Sequence, residues 1–191
     1  NMIIKNNTTN DYGGGACFFS SSVEFHNSLI LNNESATGGI SLYDQSSLVM
    51  VSSNVLGNIS TQDDEGGGIH LYDDSDVNIV STIIRNNLPF EININDDNNS
   101  ISVDYSNVLG GESGIHINEN FQNQEIVWGT NNIDSNPLFC NPDSGDYTLA
   151  ENSPCVGTGE NGANMGALDV GCGPYNFSPT EFSLSTPSNN A

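Results

Sequence analysis

Apolar and polar residues alternate with period two in short runs, and the runs return at a nearly fixed interval along the chain. Four segments align without gaps: VEFHNSLILNN from Val23, LVMVSSNVLGN from Leu48, VNIVSTIIRNN from Val77 and ISVDYSNVLGG from Ile101. Their starts lie 25, 29 and 24 residues apart. Each is followed by a second run, namely GGISLYD, GGGIHLYDD, FEININDD and SGIHINEN, and a partial coil (IIKNN, then GGGACFF) comes before them. Period-two alternation is the strand signature, and a repeat of this length is that of a solenoid. Three strand classes emerge. The first stacks Ile40, Ile69, Ile92 and Ile115, then Phe18, Leu42, Leu71, Ile94 and Ile117. The second stacks Val23, Leu48, Val77 and Ile101, then Phe25, Met50, Ile79 and Val103; the third stacks Ile4, Ile30, Val55, Ile84 and Val108.

The pattern predicts an all-β chain wound as a right-handed, single-stranded parallel β-helix. It would have three sides, about five coils and an irregular C-terminal cap. No window carries a helical period. Each strand would pair with its counterpart about 4.8 Å along the axis, so like side chains stack on like. Asn7, Asn33, Asn58 and Asn87 share one corner position, where inward amides can bond the turn backbone as a ladder. Gly111 ends that column and predicts a change of register. Residues 1–128 read as the coils, 129–174 as the last coil and a disulfide-containing cap, and 175–191 as a Ser/Pro/Thr-rich tail. The chain opens on Asn1 within a repeat, so its natural start is expected further upstream.

Composition narrows the partners. Two Lys+Arg stand against 24 Asp+Glu, a net charge of −22. Nucleic acid and anionic membrane surfaces are excluded as partners, because only Lys5 and Arg85 could meet phosphate. No apolar run reaches the length of a membrane-spanning helix. So acidic a surface suits a saline extracellular setting. Cys140, Cys155 and Cys172 cluster without zinc-site spacing, and two of the three are expected to form a disulfide; the spacing leaves open which two.

The coils resemble the pectin-lyase-like superfamily of right-handed β-helices. The segment GTNNIDSNPLFCNPDSGDYTLAENSPCVGTG, followed by NMGALDVGC, is similar to the C-terminal end of bacterial secreted β-helix proteins. Those carry an N-x-DPLF, GDY-x-L, SPC and IGA-like series. This chain departs from it at Ser135-Asn136, where Asp often precedes PLF, and by one cysteine fewer between Cys155 and Cys172. The resemblance implies export to the exterior or surface of a bacterium. FSLS in the tail is similar to the lead-in of a sorting domain used by type IX secretion.

Superfamily members that cleave polysaccharides do so on one solvent-facing sheet, which implies two enzymatic readings. A lyase needs a basic residue. Lys5 and Arg85 share a column but lie three rungs, roughly 14 Å, apart, and each is expected to be solvated. A hydrolase needs paired carboxylates about 5 Å apart, or about 6.5–9.5 Å for inversion. The acids Asp44, Asp73, Asp96 and Glu119 stack at suitable spacing, yet no polygalacturonase segment is present. Asp44, Asp73, Asp74, Asp76 and Asp96 suit calcium better, and calcium is the one candidate ion; no other cofactor is implied.

The outward face of the first strand class is the most informative surface. Its columns read Cys17, Ser41, His70, Asn93, His116 and Phe19, Tyr43, Tyr72, Asn95, Asn118. Flat rings beside His, Asn and Glu91 suit sugars. The expected ligand-binding set is Tyr43, His70, Tyr72, Glu91, Asn93, His116 and Asn118. The expected function is a non-catalytic extracellular or cell-surface module that binds carbohydrate or another surface component. The alternatives are a polysaccharide lyase or glycoside hydrolase fragment, and a structural spacer or filament subunit built by self-association.

Overall fold

A computed structural model describes residues 1–121 and 123–176; the FSLS segment of the tail lies outside the described residues. The first coil contributes β1 (Ile3–Lys5), β2 (Ala16–Phe19) and β3 (Ser22–His26), and the second β4 (Leu29–Leu31), β5 (Glu34–Ser35), β6 (Gly38–Tyr43) and β7 (Ser47–Val51). The third holds β8 (Asn54–Leu56), β9 (Ile59–Ser60), β10 (Gly67–Leu71) and β11 (Asp76–Val80). The fourth and fifth hold β12 (Ile83–Arg85), β13 (Phe90–Ile94), β14 (Ser100–Asp104), β15 (Asn107–Val108), β16 (Ile115–Ile117) and β17 (Glu125–Trp128). Three five-stranded parallel sheets result: β2-β6-β10-β13-β16, β3-β7-β11-β14-β17 and β1-β4-β8-β12-β15. Ile133 bridges Asn107 and starts a further rung, so the coil count is slightly above the five expected.

The register follows the alternation. Ile40, Ile69, Ile92 and Ile115 are successive partners, as are Phe25, Met50, Ile79 and Val103. These columns and that of Ile30, Val55, Ile84 and Val108 close on one core one coil wide. Every buried strand shares that core with the rung above and below, so burial stabilises neighbours jointly.

Polar ladders hold the corners. Asn7, Asn33 and Asn58 each donate Nδ2 and the backbone N–H to Oδ1 of the asparagine on the next coil, at 2.9–3.1 Å. The amides of Asn33, Asn58 and Asn87 also donate to the carbonyls of Ile4, Ile30 and Val55. Room for them comes from a glycine column. A Cβ on Gly39 would sit 2.7 Å from Asn58 Cγ, and one on Gly68 2.9 Å from Asn87 Nδ2. On the fourth coil that glycine position is Glu91. Its carboxylate fills the space that an asparagine at 111 would have occupied and accepts both Asn87 donors. A hydroxyl ladder runs along a second corner, where the N–H groups of Ser28, Ser53 and Thr82 donate to the hydroxyls of Ser53, Thr82 and Ser106.

The chain after the last coil does not simply stop the solenoid end. β18 (Phe139–Asn141), β19 (Asp146–Ala150) and β20 (Val170–Cys172) form a small mixed sheet. This cap lies along the outer face of the third-class sheet. Leu149, Cys155 and Met165 pack on Leu29, Leu31, Leu56 and Ile83 there. The Gly166 N–H donates to the Ser81 carbonyl and the Ala167 N–H to Asn54 Oδ1. Cys140 and Cys172 form the disulfide; Cys155 remains a buried thiol beside Asn107.

Candidate functional site

The outer face of the first-class sheet is less open than its sequence columns imply. Residues 61–66, between β9 and β10, fold across it. The Gly66 N–H donates to His70 Nδ1 at 3.2 Å, and Asn93 Nδ2 donates to the Asp64 carbonyl at 3.1 Å. His70 and Asn93 are consequently buried, Ser41 is buried against the Thr37 hydroxyl, and Glu91 is buried in the Asn ladder rather than displayed beside the rings. Of the expected ligand set, Tyr43, Tyr72, His116 and Asn118 keep partial exposure.

Two separate recesses remain. In one, His116 stacks on Phe90 at 3.8 Å between ring centroids and its Nδ1 meets Asn93 Oδ1 at 3.0 Å. The pocket beside it is lined by His116, Asn118, Asp64 and Glu119. The other is aromatic. Tyr43 stacks on Phe19 at 5.2 Å, meets Tyr12 edge-on at 5.1 Å and leans on Tyr72 at 5.9 Å. Tyr12 arrives from the loop before β2 and was not among the expected residues. Tyr12, Tyr43, Tyr72, Gln62, Glu65, His70, Asn95 and Thr37 enclose about 350 Å³. Tyr12 and Phe19 are half exposed, so apolar ring faces look onto solvent.

Electrostatics at the pocket floor are set by burial. His70 Nδ1 accepts from Gly66, so the neutral ring carries its proton on Nε2 and donates it to Glu65 Oε2 at 3.2 Å. Burial pushes the His70 pKa down to about 4 from 6.5. The Glu65 carboxyl is pushed up, by burial first and then by Asp64, against the lowering effect of the Asn95 amide. Burial also pushes the Tyr43 phenol up.

The His70 shift has a testable sign. As pH falls through 6.5 the unfolded chain gains a proton that folded His70 refuses until about 4, so stability is lost across that window. The full shift amounts to about 3 kcal/mol. The urea-measured stability advantage of the native chain over His70→Asn is expected to shrink by that order between neutral pH and pH near 4. An advantage that stays constant with pH would contradict a buried neutral imidazole.

The acidic group divides. Asp44, Asp73, Asp74 and Asp96 line an open recess with Ser20 and Gln45. Asp73 is pushed up by burial and then by Asp44 and Asp96. Asp76 instead lies on β11 and accepts from Ser100 Oγ, while Asp74 accepts from Asn98 Nδ2 at 3.1 Å. Among the described residues, no three His, Cys, Asp or Glu side chains converge as a metal site would require. The expected solvation of Arg85 is corrected: its side chain is 11% exposed and Nη1 donates to Asp134 at 2.8 Å and Asn107 at 2.7 Å. Its charge thus pins the fifth coil and the start of the cap to the fourth coil. Lys5 stays exposed on β1.

A family model described as the right handed beta helix region matches residues 1–87, the first three coils and the start of the fourth. With the in-register parallel sheets, the chain is a right-handed parallel β-helix. No curated protein and no solved structure matches it. No helix among the described residues is long and apolar enough to cross a membrane.

Proposed function

We propose that this β-helix is a carbohydrate-binding module of the exterior or cell surface, and that its binding site is the Tyr12–Tyr43–Tyr72 pocket. The observation that carries the reading is the set of partly exposed aromatic rings beside a carboxylate and two amides at one place on a rigid sheet. Sugar rings have apolar C–H faces that stack on aromatic rings and an equatorial fringe of hydroxyls that bond to polar side chains. A pocket with a few placed polar groups among apolar walls serves both needs. Tyr43 and Tyr72 sit on adjacent rungs in register, so their spacing is held by the whole stack rather than by a loop. A disulfide in the cap agrees with an oxidising compartment.

A glycan array read with the native chain and with the Tyr43→Ala/Tyr72→Ala pair tests this. Two stacking contacts of about 1 kcal/mol each predict a loss of at least about tenfold in retention of the bound glycan. The variant should keep the native β-sheet circular dichroism, because both rings lie outside the core. Unchanged retention would refute the aromatic pocket as the binding site.

A further inference from the structure

Charge within the aromatic pocket is one-sided. Glu65 Oε1 accepts from Asn95 Nδ2 at 3.3 Å and Oε2 from His70 Nε2 at 3.2 Å. Both donors are neutral, and both bonds are longer than the ~2.7–2.9 Å of a charge-assisted pair. An ionised carboxylate has about four acceptor positions, so Glu65 retains capacity for a further donor. The titratable groups facing it are Tyr43, Tyr72, His70 and Asp64, and none supplies a positive charge at neutral pH. The chain's two cationic side chains stand elsewhere: Arg85 is bound to Asp134 beneath the cap, and Lys5 lies on the third-class sheet.

This deepens the glycan reading and rests on it. We propose that the pocket selects oligosaccharides bearing a protonated amine, of the 2-amino-2-deoxy class, with the amine on Glu65 and the sugar ring against the tyrosines. An ammonium brings the charge-assisted donor that Asn95 and His70 do not, and it also gains from the faces of Tyr43 and Tyr72. A uronate would place a second carboxylate beside Glu65 on a chain of net charge −22, with no cation in the pocket to neutralise it. The same site therefore rejects acidic sugars.

Titration calorimetry near neutral pH compares oligomers of equal length built from glucosamine, N-acetylglucosamine and galacturonic acid. The native chain is measured with Glu65→Gln and with Glu112→Gln, which removes one exposed charge far from the pocket in sequence and on a different turn. The glucosamine oligomer is expected to bind at least tenfold tighter than the acetylated one, and the galacturonate not at all. Glu65→Gln should abolish that preference, whereas Glu112→Gln should preserve it. If the acetylated oligomer binds as tightly as the amine, or if both variants weaken the amine equally, selection by Glu65 is overturned while the glycan pocket stands. If none of the three binds and the array also shows no retained glycan, both readings fall.

Discussion

Replacing Asn58 by alanine is expected to remove a large share of the stability of the coils. Asn58 is fully buried at the middle of the ladder. Its Oδ1 accepts both the N–H and the Nδ2 of Asn33, and its own amide donates to Asn87 Oδ1 and the Ile30 carbonyl. Alanine would leave several of these groups inside the protein without partners, at about 1–3 kcal/mol each. A total of about 3–5 kcal/mol is a large fraction of what holds a typical domain folded. The same change at Asn7, which is exposed at the first coil and gives only two donors to the ladder, should cost less than about 1 kcal/mol. Urea unfolding of the two variants checks the gradient. Equal losses at both positions would mean that the ladder is not a buried network.

Opening the Cys140–Cys172 disulfide, which joins β18 to β20 within the cap, is expected to loosen the cap while the coils stay folded. The bond closes a separation of 32 residues. Constraining a loop of that length in the unfolded chain contributes about 3–4 kcal/mol in the chain-entropy model. The cap is held on the coils by the apolar seam of Leu149, Cys155 and Met165 on Leu29, Leu31, Leu56 and Ile83, by the Gly166 and Ala167 hydrogen bonds to Ser81 and Asn54, and by Arg85–Asp134 at its edge. In the Cys140→Ser/Cys172→Ser pair, amide hydrogen exchange should rise across β18, β19 and β20 and remain slow in β7, β10 and β11. Uniform acceleration would show that cap and coils unfold as one unit.

The inward columns were legible because two constraints coincide. Side chains alternate faces along a strand, and a coil repeat places equivalent positions one above another. Once Val23, Leu48, Val77 and Ile101 were aligned, the register of all three sheets followed. The corner asparagines were legible for the same reason. What covers each sheet was not, because that depends on segments without a repeat. The run TQDDEGG has no counterpart at that length on the other coils, yet it buries His70 and Asn93 through Gly66 and Asp64. The docking of the cap did leave a trace: LIL, NVL and IIR in the third class place apolar side chains on both faces of the strand, the pattern of a sheet buried on both sides. The hydroxyl ladder was also visible, since Ser28, Ser53, Thr82 and Ser106 occupy one aligned position. Glu91 looked like part of the surface because it follows Phe90 in a displayed strand. Its place in the glycine column, opposite the missing asparagine at 111, is what turns it inward.

For the candidate site, the sequence supplied Tyr43 and Tyr72 as neighbours on adjacent rungs. It could not supply Tyr12 or Glu65, which reach the same pocket from loops whose path no periodicity fixes. Those two residues line the recess, and they decide its chemistry as much as the strand residues do.

The most direct measurement is a crystal structure of the chain soaked with an oligosaccharide that the array retains. The account predicts a sugar ring against Tyr43 and Tyr72, with Tyr12 on its flank and a donor group within hydrogen-bond reach of Glu65. A sugar seated on the second-class sheet, along the groove beneath the cap or in the acidic recess of Asp44 and Asp73 would contradict it.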